Sequence, residues 1–290
     1  MSRRYRVRAP AKVNLTLEVL GTRPDGYHEI ASVMATCDLR DDVRVGPART
    51  LEARILPAVD AAPGDDLASR ATRALASAAG LQARAHIRIR KRIPLAAGLG
   101  GGSSDAGAVL RALAEMWDLD TDLAAVGALV GSDVPFFTRG CPAAIVSGRG
   151  ERVDPLPAAD GLWTVLVVLP ARVSTAEVYA ACGAGARGGG SATAELADLF
   201  RRGAVSGQAV RALARNDLAT PAEEMCPAIG DARTIASRNG IDLVLSGSGP
   251  TLFAVADDRA HAISMSRALR RAGLRARARL LCVSAPIERA

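Results

Sequence analysis

The sequence predicts an α+β protein of two domains, an N-terminal domain with a mixed sheet and a C-terminal ferredoxin-like domain. Three observations support this expectation. The 290 residues are enough for two hydrophobic cores. Segments of period two alternate with segments of helical period, and the last part of the chain has the strand-helix-strand-strand-helix-strand order of a ferredoxin-like layer. We expect the domains to span residues 1–158 and 159–290.

Composition excludes several classes of protein. No apolar run approaches the ~20 residues of a membrane span, and the first residues lack the hydrophobic segment of a signal peptide. The five cysteines are scattered and never in Cys-x-x-Cys spacing, which indicates neither a disulfide framework nor a zinc site. We therefore expect a cytoplasmic protein without a membrane partner.

The net charge of +7 raises nucleic-acid binding as an alternative. The arginines are interspersed with acids along the whole chain, and 3% aromatic content leaves few platforms for stacking bases. We expect no nucleic-acid partner. Only two of the 37 basic residues are lysines, Lys12 and Lys91. An ammonium and a guanidinium are not equivalent, so these two positions suggest a specific chemical role.

The N-terminal segment, residues 5–20, alternates as a strand and places Lys12, Asn14 and Thr16 on one face. This polar face is either solvated or directed into a cleft, and the pattern alone favours the solvated face. The turn that follows leads into Tyr27, His28 and a strand over residues 30–37. Tyr27 is either a packing residue or a stacking platform for a base.

A glycine-rich loop follows the predicted strand 85–90, after a helix capped by Asp65 or Asp66 that ends at Gly80. Its glycines allow positive φ and close approach of the backbone, so that successive amide groups can converge on an anion. Ser103 or Ser104 is the predicted N-cap of the next helix. The loop is either a polyphosphate site or a flexible linker, and the proline before it and the helix after it favour the first.

Two common glycine loops are excluded. A Walker A loop ends in Gly-Lys-Ser/Thr, and the chain contains no Gly-Lys dipeptide. In a dinucleotide fingerprint a third glycine would stand where Ser103 is found.

The remaining elements follow in order. Helices over residues 104–116 and 121–130 lead to Asp133, which is either a turn-forming or capping residue or a functional acid. Strands are predicted at 143–147 and 163–169, then a helix that carries Tyr179, a mobile loop at 183–192 and helices within 193–239. Strands at 241–245 and 251–255, a helix to 271 and a strand at 277–283 complete the chain.

The loop over residues 94–104 resembles the phosphate loop of the GHMP kinases, which include galactokinase and the homoserine, mevalonate and phosphomevalonate kinases. The segments 10–15, 94–104 and 245–250 occur in the order of the three GHMP motifs. Together with residues 25–28 and 132–135, they resemble the 4-diphosphocytidyl-2-C-methyl-D-erythritol kinase family of the non-mevalonate isoprenoid pathway. Gly107, where alanine is more usual, is a small departure.

The resemblance implies transfer of the γ-phosphate of ATP to the 2-hydroxyl of a cytidyl diphosphate sugar alcohol. It implies that Asp133 is the base and Lys12 its partner, with Mg²⁺ carried by the ATP phosphates. No residue is singled out as a metal ligand, and the sequence leaves open whether the protein supplies one. We expect a monomer or weak homodimer. The expected ATP-binding residues are Lys91, Pro94, Leu95, Ala96, Ala97, Gly98, Leu99, Gly100, Gly101, Gly102, Ser103 and Ser104. The expected substrate-binding residues are Asn14, Tyr27, His28, Tyr179, Ser246, Gly247, Ser248 and Gly249.

Two alternatives to this activity remain at the level of sequence. One is another small-molecule GHMP kinase, which would not need a platform for cytosine. The other is a binding protein of the same fold without activity, although both Lys12 and Asp133 are present.

Overall fold

The computed structural model describes residues 3–58, 62, 64–183 and 188–289. The strands are β1 (Tyr5–Asn14), β2 (Thr16–Thr22), β3 (His28–Gly46), β4 (Leu51–Leu56), β5 (Ala85–Arg90), β6 (Ala143–Gly148), β7 (Arg152–Leu156), β8 (Trp163–Val167), β9 (Arg215–Asn216), β10 (Val244–Leu245), β11 (Leu252–Ala256), β12 (Ala276–Leu280) and β13 (Ile287–Arg289). The helices are α1 (Leu67–Ala78), α2 (Gly101–Trp117), α3 (Leu123–Val130), α4 (Val134–Thr138), α5 (Thr175–Cys182), α6 (Ser191–Arg201), α7 (Gly207–Leu213), α8 (Ala219–Met225), α9 (Pro227–Ser237) and α10 (Arg259–Arg271). The predicted α+β class is confirmed.

The larger sheet is organised around β3, which is much longer than the predicted strand 30–37. The first part of β3 pairs with β2 and β6, and its second part pairs with β1 and β5. The sheet is mixed, because β4 runs parallel to β5 and β9 runs parallel to β2. The register of β1 on β3 shifts between Pro10 and Ala11. Proline lacks the N–H that a regular ladder needs, and a bulge accommodates it there.

The smaller sheet confirms the ferredoxin-like prediction. Its order is β10-β11-β8-β12, and all its neighbours are antiparallel. If β8, β10, β11 and β12 are numbered 1 to 4 along the chain, their order in the sheet is 2-3-1-4. Along the chain, α5 to α9 lie between β8 and β10, and α10 lies between β11 and β12. Val165 and Leu252 pack with the helices of this half, whereas Leu166 and Phe253 pack in a core shared with Val13.

Helices α1, α2 and α3 cover β1, β3 and β5 through a third core. Asp66 caps α1 as predicted, and its carboxylate accepts a hydrogen bond from the backbone N–H of Ser69. Helix α2 is buried from Ser104 through Ala114 except at Arg111. The burial of α2 holds the connection between β5 and α2, which carries the glycine-rich loop, against the body of the protein.

Two short strands from the second half of the chain join the larger sheet. Strand β9 pairs with β2, and β13 pairs with β1. The predicted boundary at residue 158 stays a prediction. Residues 184–187 of the predicted loop 183–192 lie outside the described residues, and α6 already begins at Ser191. Within the part of the chain that the structure describes, no helix is long and apolar enough to cross a membrane.

Candidate active site

The polar face of β1 is buried, so its interpretation as a solvated face is wrong. Lys12 is 3% exposed and Asn14 is fully buried. The Lys12 ammonium donates a hydrogen bond to Asn14 Oδ1 at 2.6 Å. Asn14 Nδ2 donates to Ser32 Oγ at 2.8 Å, and Ser32 Oγ donates to the carbonyl of Thr16. This chain of hydrogen bonds fixes the amide of Asn14 with its oxygen towards Lys12, and so fixes the ammonium.

Asp133 immediately precedes α4, whose first turn contains Pro135. It occupies the N-cap position of α4, as its interpretation as a capping residue predicts, but its carboxylate makes no capping hydrogen bond to the described backbone. Oδ2 of Asp133 lies 3.7 Å from Nζ of Lys12 instead. The side chain of Asp133 is 30% exposed, whereas that of Lys12 is 4% exposed. The pair therefore joins a buried ammonium to a carboxylate that solvent or a ligand can reach.

The glycine-rich loop ends at Gly100, and α2 begins at Gly101. The predicted serine N-cap is therefore wrong, since Ser103 and Ser104 lie in the first turn of the helix. Gly100 is the N-cap with φ of 67°, and a Cβ there would lie 3.0 Å from Cγ of Lys12. In the described structure no side chain caps α2, so its first amide groups remain available to an anion.

The loop packs directly on the segment 246–250. Gly98 has φ of 73°, and a Cβ there would lie 2.3 Å from the carbonyl oxygen of Ser246. Ser246 Oγ donates to the carbonyl of Gly98 at 3.2 Å, and the N–H of Thr251 donates to the carbonyl of Ala97 at 3.3 Å. A Cβ on Gly247 would lie 3.0 Å from the ammonium of Lys12. The three sequence motifs thus meet at Lys12.

The other predicted loop residues occupy the same connection between β5 and α2, but their environments differ. Leu95 is 40% exposed, whereas Leu99 is buried and its carbonyl accepts the backbone N–H of Lys12 at 3.0 Å. Pro94 and Ala96 are not fully buried, and Gly102 is exposed. The exposed positions leave one side of the loop open to solvent.

Lys91 lies beneath the loop, with its ammonium held by two buried carboxylates. It donates to Asp105 Oδ2 at 2.6 Å and to Asp41 Oδ2. The other oxygen of Asp41 accepts the backbone N–H groups of Arg92 and Ile93. The charge of Lys91 is thus balanced inside the protein, where the residue ties the start of the loop to β3 and α2. That Lys91 also flanks the nucleotide stays a prediction.

The pKa of the Asp105 carboxyl group is strongly shifted by its surroundings. Burial raises the pKa of Asp105 to about 8, although the Lys91 ammonium pulls it downward. Burial lowers the pKa of Lys91, but the carboxylates of Asp105 and Asp41 outweigh burial and leave that pKa above its ordinary value. A protonated Asp105 leaves Asp41 to balance the ammonium.

The ring cluster comprises the predicted residues Tyr27, His28 and Tyr179, of which His28 and Tyr179 contact each other. Tyr27 is 50% exposed, with the Arg149 guanidinium 4.9 Å from its ring centroid. The ring of His28 lies 5.3 Å from that of Tyr179, and Nε2 of His28 is 3.0 Å from the carbonyl oxygen of Gly183. Burial raises the pKa of Tyr179, and the carboxylate of Asp133 adds to this shift. Tyr179 therefore connects the ring cluster electrostatically to Asp133.

Several residues that shape the site have no clear signal in the sequence. Asn216 Nδ2 donates to the carbonyls of Leu245 and Gly247, both at 2.8 Å, and so holds the segment next to Lys12. Asn216 lies in a region of helical composition, where a single polar residue does not indicate a functional site. Thr175 Oγ1 lies 2.8 Å from Ser248 Oγ. Among the described residues, no group of three or more His, Cys, Asp or Glu side chains could hold a metal ion.

Comparisons with known proteins agree with this geometry. The family models "GHMP kinases N terminal domain" and "GHMP kinases C terminal" match residues 66–141 and 194–274. The first match contains the glycine-rich loop and Asp133, and the second contains Asn216 and the segment 246–250.

Curated relatives and a solved structure are similar over nearly the whole chain. A 4-diphosphocytidyl-2-C-methyl-D-erythritol kinase from Symbiobacterium thermophilum is 41% identical over 267 residues, covering 86% of this chain and 89% of the relative. The enzyme of that name from Gloeobacter violaceus is 39% identical over 266 residues, covering 89% and 87%. The crystal structure of a 4-(cytidine 5'-diphospho)-2C-methyl-D-erythritol kinase matches with a TM-score of 0.76 at 35% identity, covering 96% and 98%.

The chain belongs to the 4-diphosphocytidyl-2-C-methyl-D-erythritol kinase family. The resemblance inferred from the motifs is thereby confirmed, and the two-domain GHMP kinase fold with it. As a member of this kinase family, the protein is an ATP-dependent small-molecule kinase.

Proposed function

We propose that this kinase transfers the γ-phosphate of ATP to the 2-hydroxyl of 4-diphosphocytidyl-2-C-methyl-D-erythritol, giving the 2-phosphate and ADP in the non-mevalonate isoprenoid pathway. Its membership of the family supports the substrate. The geometry of Lys12 and Asp133 beside the uncapped N-terminus of α2 supports the chemistry.

The 3.7 Å separation between Lys12 Nζ and Asp133 Oδ2 carries the proposal. It is too long for a hydrogen bond between the two groups. A third atom can nevertheless lie about 2.6–3.2 Å from both, which is the range needed for a positioned proton transfer. A substrate hydroxyl at that point would donate its proton to Asp133 and accept a hydrogen bond from Lys12.

In the proposed reaction the hydroxyl oxygen attacks the γ-phosphorus, its proton passes to Asp133, and the bond from the γ-phosphorus to the β,γ-bridging oxygen breaks to release ADP. Phosphoryl transfer depends mainly on in-line positioning and on stabilisation of charge. Lys12 supplies a fixed positive charge at the attacking oxygen. The first amide groups of α2 and the loop residues 94–104 are proposed to hold the phosphates.

We propose that Mg²⁺ enters with the ATP phosphates and neutralises part of their charge when bound. Ser104 fits such a site, because its hydroxyl is buried in the first turn of α2 without a hydrogen-bond partner among the described residues. Hydroxyl and phosphate oxygens are the hard ligands that Mg²⁺ prefers.

The ring cluster is proposed to bind the cytidine end of the substrate. Tyr27 offers a half-exposed ring for stacking, the rings of His28 and Tyr179 contact each other, and Tyr179 is within electrostatic range of Asp133. Asn14 acts through Lys12 in this proposal, while the segment from Ser246 to Gly249 closes the site next to the ammonium.

The cellular setting is also a proposal. We propose a cytoplasmic monomer or weak homodimer that acts on a small molecule and has no nucleic-acid partner. The few aromatic side chains and the interspersed acids support the last point.

The proposed substrate is tested by measuring ADP release with ATP, Mg²⁺ and a panel of acceptors. We expect turnover with 4-diphosphocytidyl-2-C-methyl-D-erythritol and none with mevalonate, homoserine or galactose. Turnover of mevalonate at comparable efficiency would make the protein another GHMP kinase. Binding of the cytidyl substrate without turnover would make it a binding protein.

A further inference from the structure

A cavity of about 820 Å³ lies at the groove between the two sheets. Its lining comes from β3, from the segment before the glycine-rich loop, from the end of β8 and from the chain between the end of α10 and β12. Of the residues assigned to the site described above, Pro94 at the start of the loop lines this groove, whereas Lys12, Asp133 and the glycines of the loop do not. The groove therefore adjoins that site without containing its central residues.

Five arginines line this groove: Arg92, Arg270, Arg275, Arg277 and Arg279. The lining residues include no carboxylate. The nearest partner is Asp38, 3.8 Å from Nε of Arg279. In the described structure that Nε atom is buried without a hydrogen-bond partner. A buried donor left unsatisfied costs free energy.

The other four guanidinium groups make no hydrogen bond or ion pair with any described residue. This contrasts with arginines elsewhere on the surface, such as Arg211 with Asp257 and Arg201 with Asp154. Like charges gathered without counter-charges repel one another, so the groove attracts anions.

The period of two along β12 explains why three of the arginines act together. Arg277 and Arg279 lie on one face of the strand, Arg275 directly precedes it in the same alternation, and Arg277 is paired with Leu166 of β8. They therefore flank the face of the smaller sheet opposite its helices. The apolar part of the lining consists of Leu39, Leu166, Val168 and Leu274; Leu39 and Leu166 belong to the core on this face, whereas Leu274 packs against the core on the helix side.

We propose that this groove binds an organic diphosphate, with the phosphates on the arginines of β12 and a hydrocarbon portion on the apolar part of the lining. Guanidinium groups bind phosphate oxygens through two parallel hydrogen bonds, which suits a cluster of forks around one polyanion. The cavity volume lies in the range of small-molecule sites. No aromatic side chain lines it, so it lacks the stacking platforms of a nucleic-acid site.

Calorimetric titration of the full chain with n-octyl diphosphate and with inorganic pyrophosphate tests the proposal. We expect n-octyl diphosphate to bind more tightly than pyrophosphate, because only the first covers the apolar part of the lining. The double variant Arg275→Gln/Arg277→Gln should bind n-octyl diphosphate at least about tenfold more weakly, since each substitution removes charge-assisted hydrogen bonds. Arg270→Gln, on a different element, should weaken it in the same direction.

The matched control is Arg267→Gln/Arg271→Gln, which removes the same charge from exposed positions of α10 that do not line the groove. It should keep the wild-type affinity within about twofold. Equal affinities in the groove and control variants would overturn the proposal, as would equal binding of n-octyl diphosphate and pyrophosphate. Oligodeoxythymidine tests the nucleic-acid alternative. If the double variant Arg275→Gln/Arg277→Gln loses binding of oligodeoxythymidine but keeps binding of n-octyl diphosphate, the groove is a nucleic-acid site and the proposal is wrong. None of these readouts depends on kinase activity.

Discussion

Replacing Lys12 by arginine tests whether one compact ammonium is needed at the centre of the site. The substitution preserves the charge, and the chain otherwise uses arginine at every basic position except Lys91. Lys12 has little free space. Its Nζ lies 2.6 Å from Asn14 Oδ1. A Cβ atom added at Gly247 would lie 3.0 Å from Nζ, and one added at Gly100 would lie 3.0 Å from Cγ. A longer, planar guanidinium cannot occupy the same point.

The size of the loss follows from the geometry. The proposed hydroxyl must lie within hydrogen-bond reach of both Lys12 and Asp133, so a displacement of ~1 Å on the lysine side moves it out of line with the phosphate. A misplacement of that size costs roughly 10²-fold in rate, or about 2.7 kcal/mol of transition-state stabilisation. ATP binding should change less than kcat, since the phosphates are proposed to bind the first amide groups of α2 and Lys12 to act on the attacking hydroxyl.

The assay measures kcat and the melting temperature of Lys12→Arg against Arg271→Lys, an exposed position on α10. We expect the control to keep the wild-type kcat and Lys12→Arg to lose most of it. A folded Lys12→Arg protein that keeps more than about half of the wild-type kcat behaves like an uninvolved surface change and refutes the role of Lys12.

Three further predictions follow from the site. Asp133→Asn should lower kcat by roughly 10² or more with ATP affinity intact, because it removes the proton acceptor; near-normal turnover contradicts this role. Tyr27→Ala should raise KM for the cytidyl substrate by the equivalent of about 1–3 kcal/mol of stacking, whereas Tyr27→Phe should be mild; equal losses for ATP make Tyr27 a packing residue. Because the pKa of Asp105 is raised from 3.8 to about 8 in the folded protein, the free energy of unfolding should fall as pH rises between these values and level off above them. Asp105→Asn should flatten that part of the denaturation profile, and an unchanged slope contradicts the raised pKa.

The sequence predicts best those elements whose pattern is local. The strand 85–90 and the cap at Asp66 were correct because alternation and capping need only neighbouring residues. The second half of β3 was missed, since the charged run of residues 38–42 interrupts its apolar pattern. Strand β7 was missed as well. It contains Pro155, which is tolerated because β7 is an edge strand that pairs only with β6 among the described strands.

The candidate site, too, is predicted best where its residues are close together in sequence. The motifs around Lys12, Gly98 and Asp133 are continuous in sequence, and their resemblance to one family was sufficient to bring them together. The start of α2 at Gly101 was not predicted, because glycine is a poor helix former and serine the usual cap. The partners of Lys91 come from β3 and α2, and no spacing along the chain relates Asp41 to Asp105.

The pairing of β13 with β1 has a consequence for how the protein is made. Tyr5, Arg6 and Val7 have their partners at positions 287–289, so one side of β1 lacks this neighbour until residues 287–289 have left the ribosome. Domains usually begin to fold N-terminal end first during synthesis. Here the growing chain carries an open sheet edge until that point, and such edges invite pairing with other chains. The same pairing brings the two ends of the described chain side by side. A circular permutant that joins them through a short linker and opens an exposed turn elsewhere would present β13 and β1 to each other from the start.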